Sequence, residues 1–129
     1  EWHVPREQGV ACLRAIIKAI EKHNEAFFPI EFRFIKGDGA WLSPFHGRDC
    51  CSIAVHAAAE EPYQYLIQDC APIYRAHSGR PHWGKLHLMG TAELSAMYPK
   101  WQDFQQVRQQ FDPQGRMLNA HLRKLFAKA

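Results

Sequence analysis

A change of apolar period early in the chain constrains the fold more than any other feature. Val10, Leu13, Ile16, Ile17 and Ile20 recur at three- and four-residue steps, with Arg14, Lys18, Glu21 and Lys22 between them. That spacing predicts an amphipathic helix from Pro5 to about His23. Pro5 suits the first turn, where a missing N–H leaves nothing unpaired. From Phe28 to Lys36 the period falls to two, with Ile30, Phe32 and Phe34 on one face and Glu31, Arg33 and Ile35 on the other, the pattern of a strand. A helix with one apolar stripe followed by a strand with one apolar face points to a mixed domain.

Cys50 to Val55 reads as a second strand, with Cys51, Ile53 and Val55 on one face and Ser52, Ala54 and His56 on the other. Between the strands, Lys36-Gly37-Asp38-Gly39 is turn chemistry, and Trp41 to Gly47 reads as an ordered loop. Tyr63, Leu66, Ile67, Cys70, Ile73 and Tyr74 form a helical stripe that Pro72 must kink or restart and Gly79 can end. Arg80-Pro81 enforces an extended approach to His82-Trp83-Gly84-Lys85. Thr91 is the expected cap of a short helix ending before Pro99. Trp101, Phe104, Val107 and Arg108 mark another helix, and Leu118, His121, Leu122 and Leu125 a last one after the turn Asp112-Pro113-Gln114-Gly115. Strands and helices do not alternate regularly, so the expected class is α+β, a small mostly antiparallel sheet packed with several helices. Two strands make no stable sheet alone, and some of their partners are expected upstream of Glu1. The chain opens Glu1-Trp2-His3 without an initiator methionine, as a piece of a longer protein would.

Composition narrows the function. The 16 Lys and Arg against 13 Asp and Glu are interspersed, and no polybasic tract marks a nucleic-acid partner. Arg14, Lys18, Glu31 and Arg33 interrupt the apolar stretches, whereas a membrane span needs roughly 20 nearly uninterrupted apolar residues. No membrane anchor is expected, and soluble cytoplasm is the default location. Cys12, Cys50, Cys51 and Cys70 include an adjacent pair and no C-x-x-C. They read as reduced buried thiols, and with the eight histidines they form no preorganised tetrahedral set, so no metal is expected.

Two places carry candidate chemistry. Glu31 and Arg33 lie two apart on one strand and project from the same face. On a solvated face such a pair is a surface ion pair worth about 0–1 kcal/mol. Ile35 continues that face, however, and a partly buried arginine would stabilise an anion at any working pH. In Arg80-Pro81-His82-Trp83-Gly84-Lys85, two ionisable groups flank a tryptophan and a glycine that lets backbone approach a ligand. An ordinary loop with one core tryptophan has the same composition.

The order of motifs adds a resemblance. Glu1-Trp2-His3-Val4-Pro5-Arg6-Glu7, Glu31-Phe32-Arg33, Trp41-Leu42-Ser43-Pro44, Arg80-Pro81-His82-Trp83-Gly84-Lys85, Tyr98-Pro99 and the run from Phe111 to Asn119 together resemble the C-terminal part of the aldonolactone oxidoreductases. These are the sugar-1,4-lactone oxidases and dehydrogenases, with the related alditol oxidases, in the vanillyl-alcohol oxidase flavoprotein superfamily. The resemblance implies an FAD enzyme that oxidises a secondary alcohol carbon of a sugar lactone by hydride transfer to the flavin. By matched position, Glu31 and Arg33 would face the substrate near the flavin. Arg33 would hold a substrate oxygen, and Glu31 would bond a hydroxyl and orient Arg33. Lys85 would lie at the flavin's pyrimidine edge, with His82 in a supporting polar role and Trp83 packing. His56 looks like a further cofactor-side position. Ala57-Ala58-Ala59 follow it, where alditol oxidases carry a hydroxyl residue, so a lactone is favoured over an open-chain polyol. In this family the flavin is held mainly by an N-terminal domain larger than this chain. Residues 1–129, which contain no phosphate-cradling glycine loop, would thus be a C-terminal substrate (cap) domain, inactive without its FAD-binding domain. The other reading left open is a stand-alone binding or interaction module without redox chemistry.

Overall fold

The computed structural model describes residues 1–23 and 29–126. Strand β1 is Trp2–Pro5, and one tight helical turn leads to helix α1, Gly9–Ile20. Strands β2 (Glu31–Ile35) and β3 (Cys50–Ala54) follow, then α2 (Ala71–Ala76), β4 (Arg80–Pro81), α3 (Thr91–Met97), α4 (Trp101–Phe111) and α5 (Ala120–Phe126). The expected start of the first strand at Phe28 lies outside the described residues.

The sheet order is β2-β3-β1-β4, and every pairing is antiparallel. This is the expected α+β class, but the sheet is built differently from the expectation. A strand that the sequence did not reveal is Trp2–Pro5 itself, inserted between β3 and β4. Pro5 accordingly ends a strand and does not open the helix, which starts at Gly9. β1 carries no polar alternation because all four of its residues are buried, as befits a central strand covered on both faces.

On one face, Trp2, Val4, Cys51 and Ile53 pack against Cys12 and Ile16 of α1, and Trp2 stacks on Tyr74 at 5.6 Å. Helix and strand meet closely at Gly9, where an added Cβ would lie 2.3 Å from Cys51 Sγ. Phe32 belongs to this side, whereas Phe34, expected in the core with it, is 60% exposed at the open edge, beneath the Arg6 guanidinium. All four cysteines are buried thiols. Burial pushes Cys12 up to about 12 and Cys70 up to about 11, so neither is a nucleophile at neutral pH.

Pro72 restarts the helix as expected. A wide turn over Leu66–Cys70 precedes α2 and makes room for a ring that would otherwise strike the preceding turn. Thr91 is the first residue of α3 and not its cap: Gly90 N–H donates to Glu93 Oε2, and the Thr91 hydroxyl donates to the Lys124 carbonyl, tying α3 to α5. Leu94, Tyr98, Trp101, Leu125 and Phe126 close the helical end of the core around Trp83.

Candidate active site

Pairing places Arg33 opposite Ser52, Ser52 opposite His3, and His3 opposite Arg80. Directly paired residues share a sheet face, so a polar row crosses all four strands on the side away from α1. A cleft of about 590 Å³ lies over this row, lined by Glu1, His3, Glu31, Arg33, Ser52, His56, His82 and Lys85 among others. All five residues picked from the sequence, Glu31, Arg33, His56, His82 and Lys85, therefore meet at one place.

Arg33 is the centre of the charges. Its guanidinium donates to Glu1 Oε1 at 3.2 Å and is ion-paired with Glu31 Oε2 at 2.9 Å, and Glu31 Oε1 in turn lies 3.5 Å from His56 Nε2. The sequence left open a surface ion pair or a partly buried arginine. In this chain the Arg33 side chain is 51% exposed and that of Glu31 47%, because β2 is an edge strand with no layer beyond it. The strand ends at Ala54, so His56 sits just past it, its carbonyl accepting from the Tyr65 hydroxyl at 2.8 Å.

The Lys85 loop is fixed from behind. Trp83 donates its indole N–H to the Leu42 carbonyl at 2.8 Å and stacks on Tyr98, Trp101 and Phe126, which is the packing role expected of it. Arg80 donates to the carbonyls of Pro44 and His46 at 3.1 and 2.9 Å, joining the loop after β2 to β4. Ser43 and Ala40 close that loop on Asp38. Gly84 N–H donates to His82 Nδ1 at 3.0 Å, so the neutral ring carries its proton on Nε2. The Lys85 ammonium has no ion-pair or hydrogen-bond partner among the described residues.

His3 was missed in the sequence, where a histidine between Trp2 and Val4 carries no signal. It is 1% exposed, bonded through Nδ1 to Ser52 Oγ at 2.6 Å, with the Phe45 ring edge-on at 4.7 Å. Burial, reinforced by nearby His82, Arg33 and Arg48, pushes its imidazole down to about 3, so it is neutral at working pH. Among the described residues, no cluster of three or more His, Cys, Asp or Glu could hold a metal, and no helix is long and apolar enough to cross a membrane.

A carboxylate, a paired guanidinium, an ammonium without a partner among the described residues and three imidazoles line this cleft, a set of donors and acceptors able to bind a polar small molecule. The chain belongs to the D-arabinono-1,4-lactone oxidase family, whose profile matches residues 1–125. It is 37% identical over 126 residues to an L-gulono-1,4-lactone dehydrogenase of Mycobacterium tuberculosis, covering 97% of this chain and 29% of that protein. It is 32% identical over 136 residues to the L-gulonolactone oxidase of Mus musculus, covering 98% and 30% respectively. An alditol oxidase of a Streptomyces species is 30% identical over 128 residues, covering 97% of this chain and 30% of the relative. The chain thus spans less than a third of the length of these relatives.

Proposed function

We propose that residues 1–129 are the substrate (cap) domain of an FAD-dependent oxidoreductase that oxidises an aldono-1,4-lactone and depends on an FAD-binding domain of the same parent protein. The observation that carries this reading is the convergence of Glu31, Arg33, His56, His82 and Lys85 on one cleft, in a chain whose named relatives include enzymes of gulonolactone.

The donor set fits one part of the flavin. Lys85, with a free ammonium, and His82, with Nε2–H available, suit the carbonyl and imide edge of the ring. No glycine-rich loop opens a helix among the described residues, so the diphosphate falls to the other domain. When bound, the flavin supplies a two-electron acceptor for the hydride that leaves the substrate carbon. This chain's residues do the rest. Arg33 grips the oxygen on that carbon and stabilises its negative charge as the C–H bond breaks. Glu31 holds Arg33 at 2.9 Å and accepts from a neighbouring hydroxyl. His56 Nε2, 3.5 Å from Glu31, takes the proton lost from the alcohol. Lys85 balances the charge that arrives with the hydride.

The test is Arg33→Ala in the flavin-loaded full-length protein, assayed with a panel of 1,4-lactones. Turnover should fall at least about 10²-fold; unchanged kinetics would refute the assignment. A chain that binds lactones with full affinity and no flavin would favour the stand-alone binding module.

A further inference from the structure

The polar floor of the cleft contains one group that the catalytic reading leaves unused. His3 Nε2 is shut off from solvent and has no hydrogen-bond partner among the described residues, while Nδ1 of the same ring is held by Ser52 at 2.6 Å. Buried polar atoms are nearly always paired, and an orphan in a ring that lines a ligand cleft calls for a partner from the ligand.

We propose that His3 is a specificity-determining residue whose Nε2 hydrogen-bonds a hydroxyl of the polyhydroxylated ligand. The inference rests on the lactone reading above and names one of its contacts.

Three observations carry it. His3 lines the same cleft as Arg33, His82 and Lys85 and stands in one cross-strand row with Arg33 through Ser52. Its ring centroid is 5.8 Å from that of His82, with no bond between the two rings, so His82 does not satisfy Nε2. His3 offers Nε2 as donor or acceptor according to which way the Ser52 bond runs. A hydroxyl is the one common group that satisfies either, since it both donates and accepts. Depression of its pKa keeps His3 neutral, which suits it to recognition and rules it out as the group that takes the substrate proton. Ser52 positions the ring through its bond to Nδ1.

The experiment compares wild type, His3→Asn and His3→Phe in the flavin-loaded full-length protein, using L-gulono-1,4-lactone and its single-deoxy analogues. His3→Phe should raise KM about 3- to 10-fold, the range of one neutral hydrogen bond, with kcat changed less. One deoxy lactone should lose affinity in wild type and lose nothing further in His3→Phe. A two-bond nitrogen NMR spectrum of wild type should show the His3 Nε2 resonance move on addition of the lactone, a response that a purely structural histidine would not give. An unchanged KM in a folded His3→Phe, or an Nε2 resonance indifferent to lactone, overturns the proposal. If wild type itself neither binds nor oxidises any lactone, the lactone reading has failed first. His3→Asn separates recognition from folding, because its amide retains a partner for Ser52.

Discussion

Burying a histidine makes acid costly, and the structure sets the size of that cost. The imidazole of His3 is ordinarily half-protonated at pH 6.5, and its site pushes it down to about 3. Below pH 6.5 the unfolded chain takes up a proton that the folded chain refuses, so stability is fully present above 6.5 and falls as pH drops towards 3. At 1.36 kcal/mol per unit, the 1.5 units between 6.5 and 5 remove about 2 kcal/mol. Urea denaturation at pH 7 and pH 5 measures this. With a slope of about 1–3 kcal/mol/M for a small protein, the wild-type midpoint should fall by roughly 1 M. His3→Asn, which meets Ser52 with an amide that does not titrate, should lose most of that difference. Burial also lowers His87, which faces His121, and this works in the same direction in both proteins, so the comparison isolates His3. Equal midpoint shifts in wild type and His3→Asn would refute the reasoning.

Trp83→Ala removes an indole stacked on three aromatic rings together with its bond to Leu42, and should cost about 3–5 kcal/mol, measured by the same denaturation. Trp83→Phe should recover much of that. Lys85→Ala should leave the fold intact, because the ammonium makes no contact that packing depends on. In the flavin-loaded full-length protein it should lower turnover or shift the flavin potential downward, and spectroelectrochemistry with steady-state kinetics would show an error in either part.

Elements with a long, clean period were legible in the sequence. The stripe Val10 to Ile20 gave α1, and Glu31-Phe32-Arg33 gave the face of β2, because in both cases one side packs and the other does not. β1 was invisible for the opposite reason: Trp2, His3 and Val4 are buried on both sides, so no alternation marks them, and their status as a strand comes entirely from partners in β3 and β4. The candidate site divides the same way. Glu31, Arg33, His82 and Lys85 stand in short motifs, and motifs survive without a fold. His3 becomes a site residue only because Ser52, 49 positions away, is its neighbour across the ladder. The cap of α5 shows the limit at close range. Asn119 Oδ1 accepts from the Leu122 N–H at 2.8 Å, a cap that the residue type permits and only the folded backbone distinguishes from any other asparagine beside a helix.

The strand order has a consequence for how the protein is made. Of the four strands β1 is made before the others, yet its partners in the sheet lie about fifty and about eighty residues later, a highly non-local arrangement. At about 5–20 residues per second, Trp2 waits roughly ten seconds for Pro81. During that interval the strand destined for the middle of the sheet has at least one bare edge, the kind of segment that sticks to other chains. Until Arg80 and Pro81 have emerged the polar row has no fourth member, so translation halted at any earlier codon leaves the cleft incomplete.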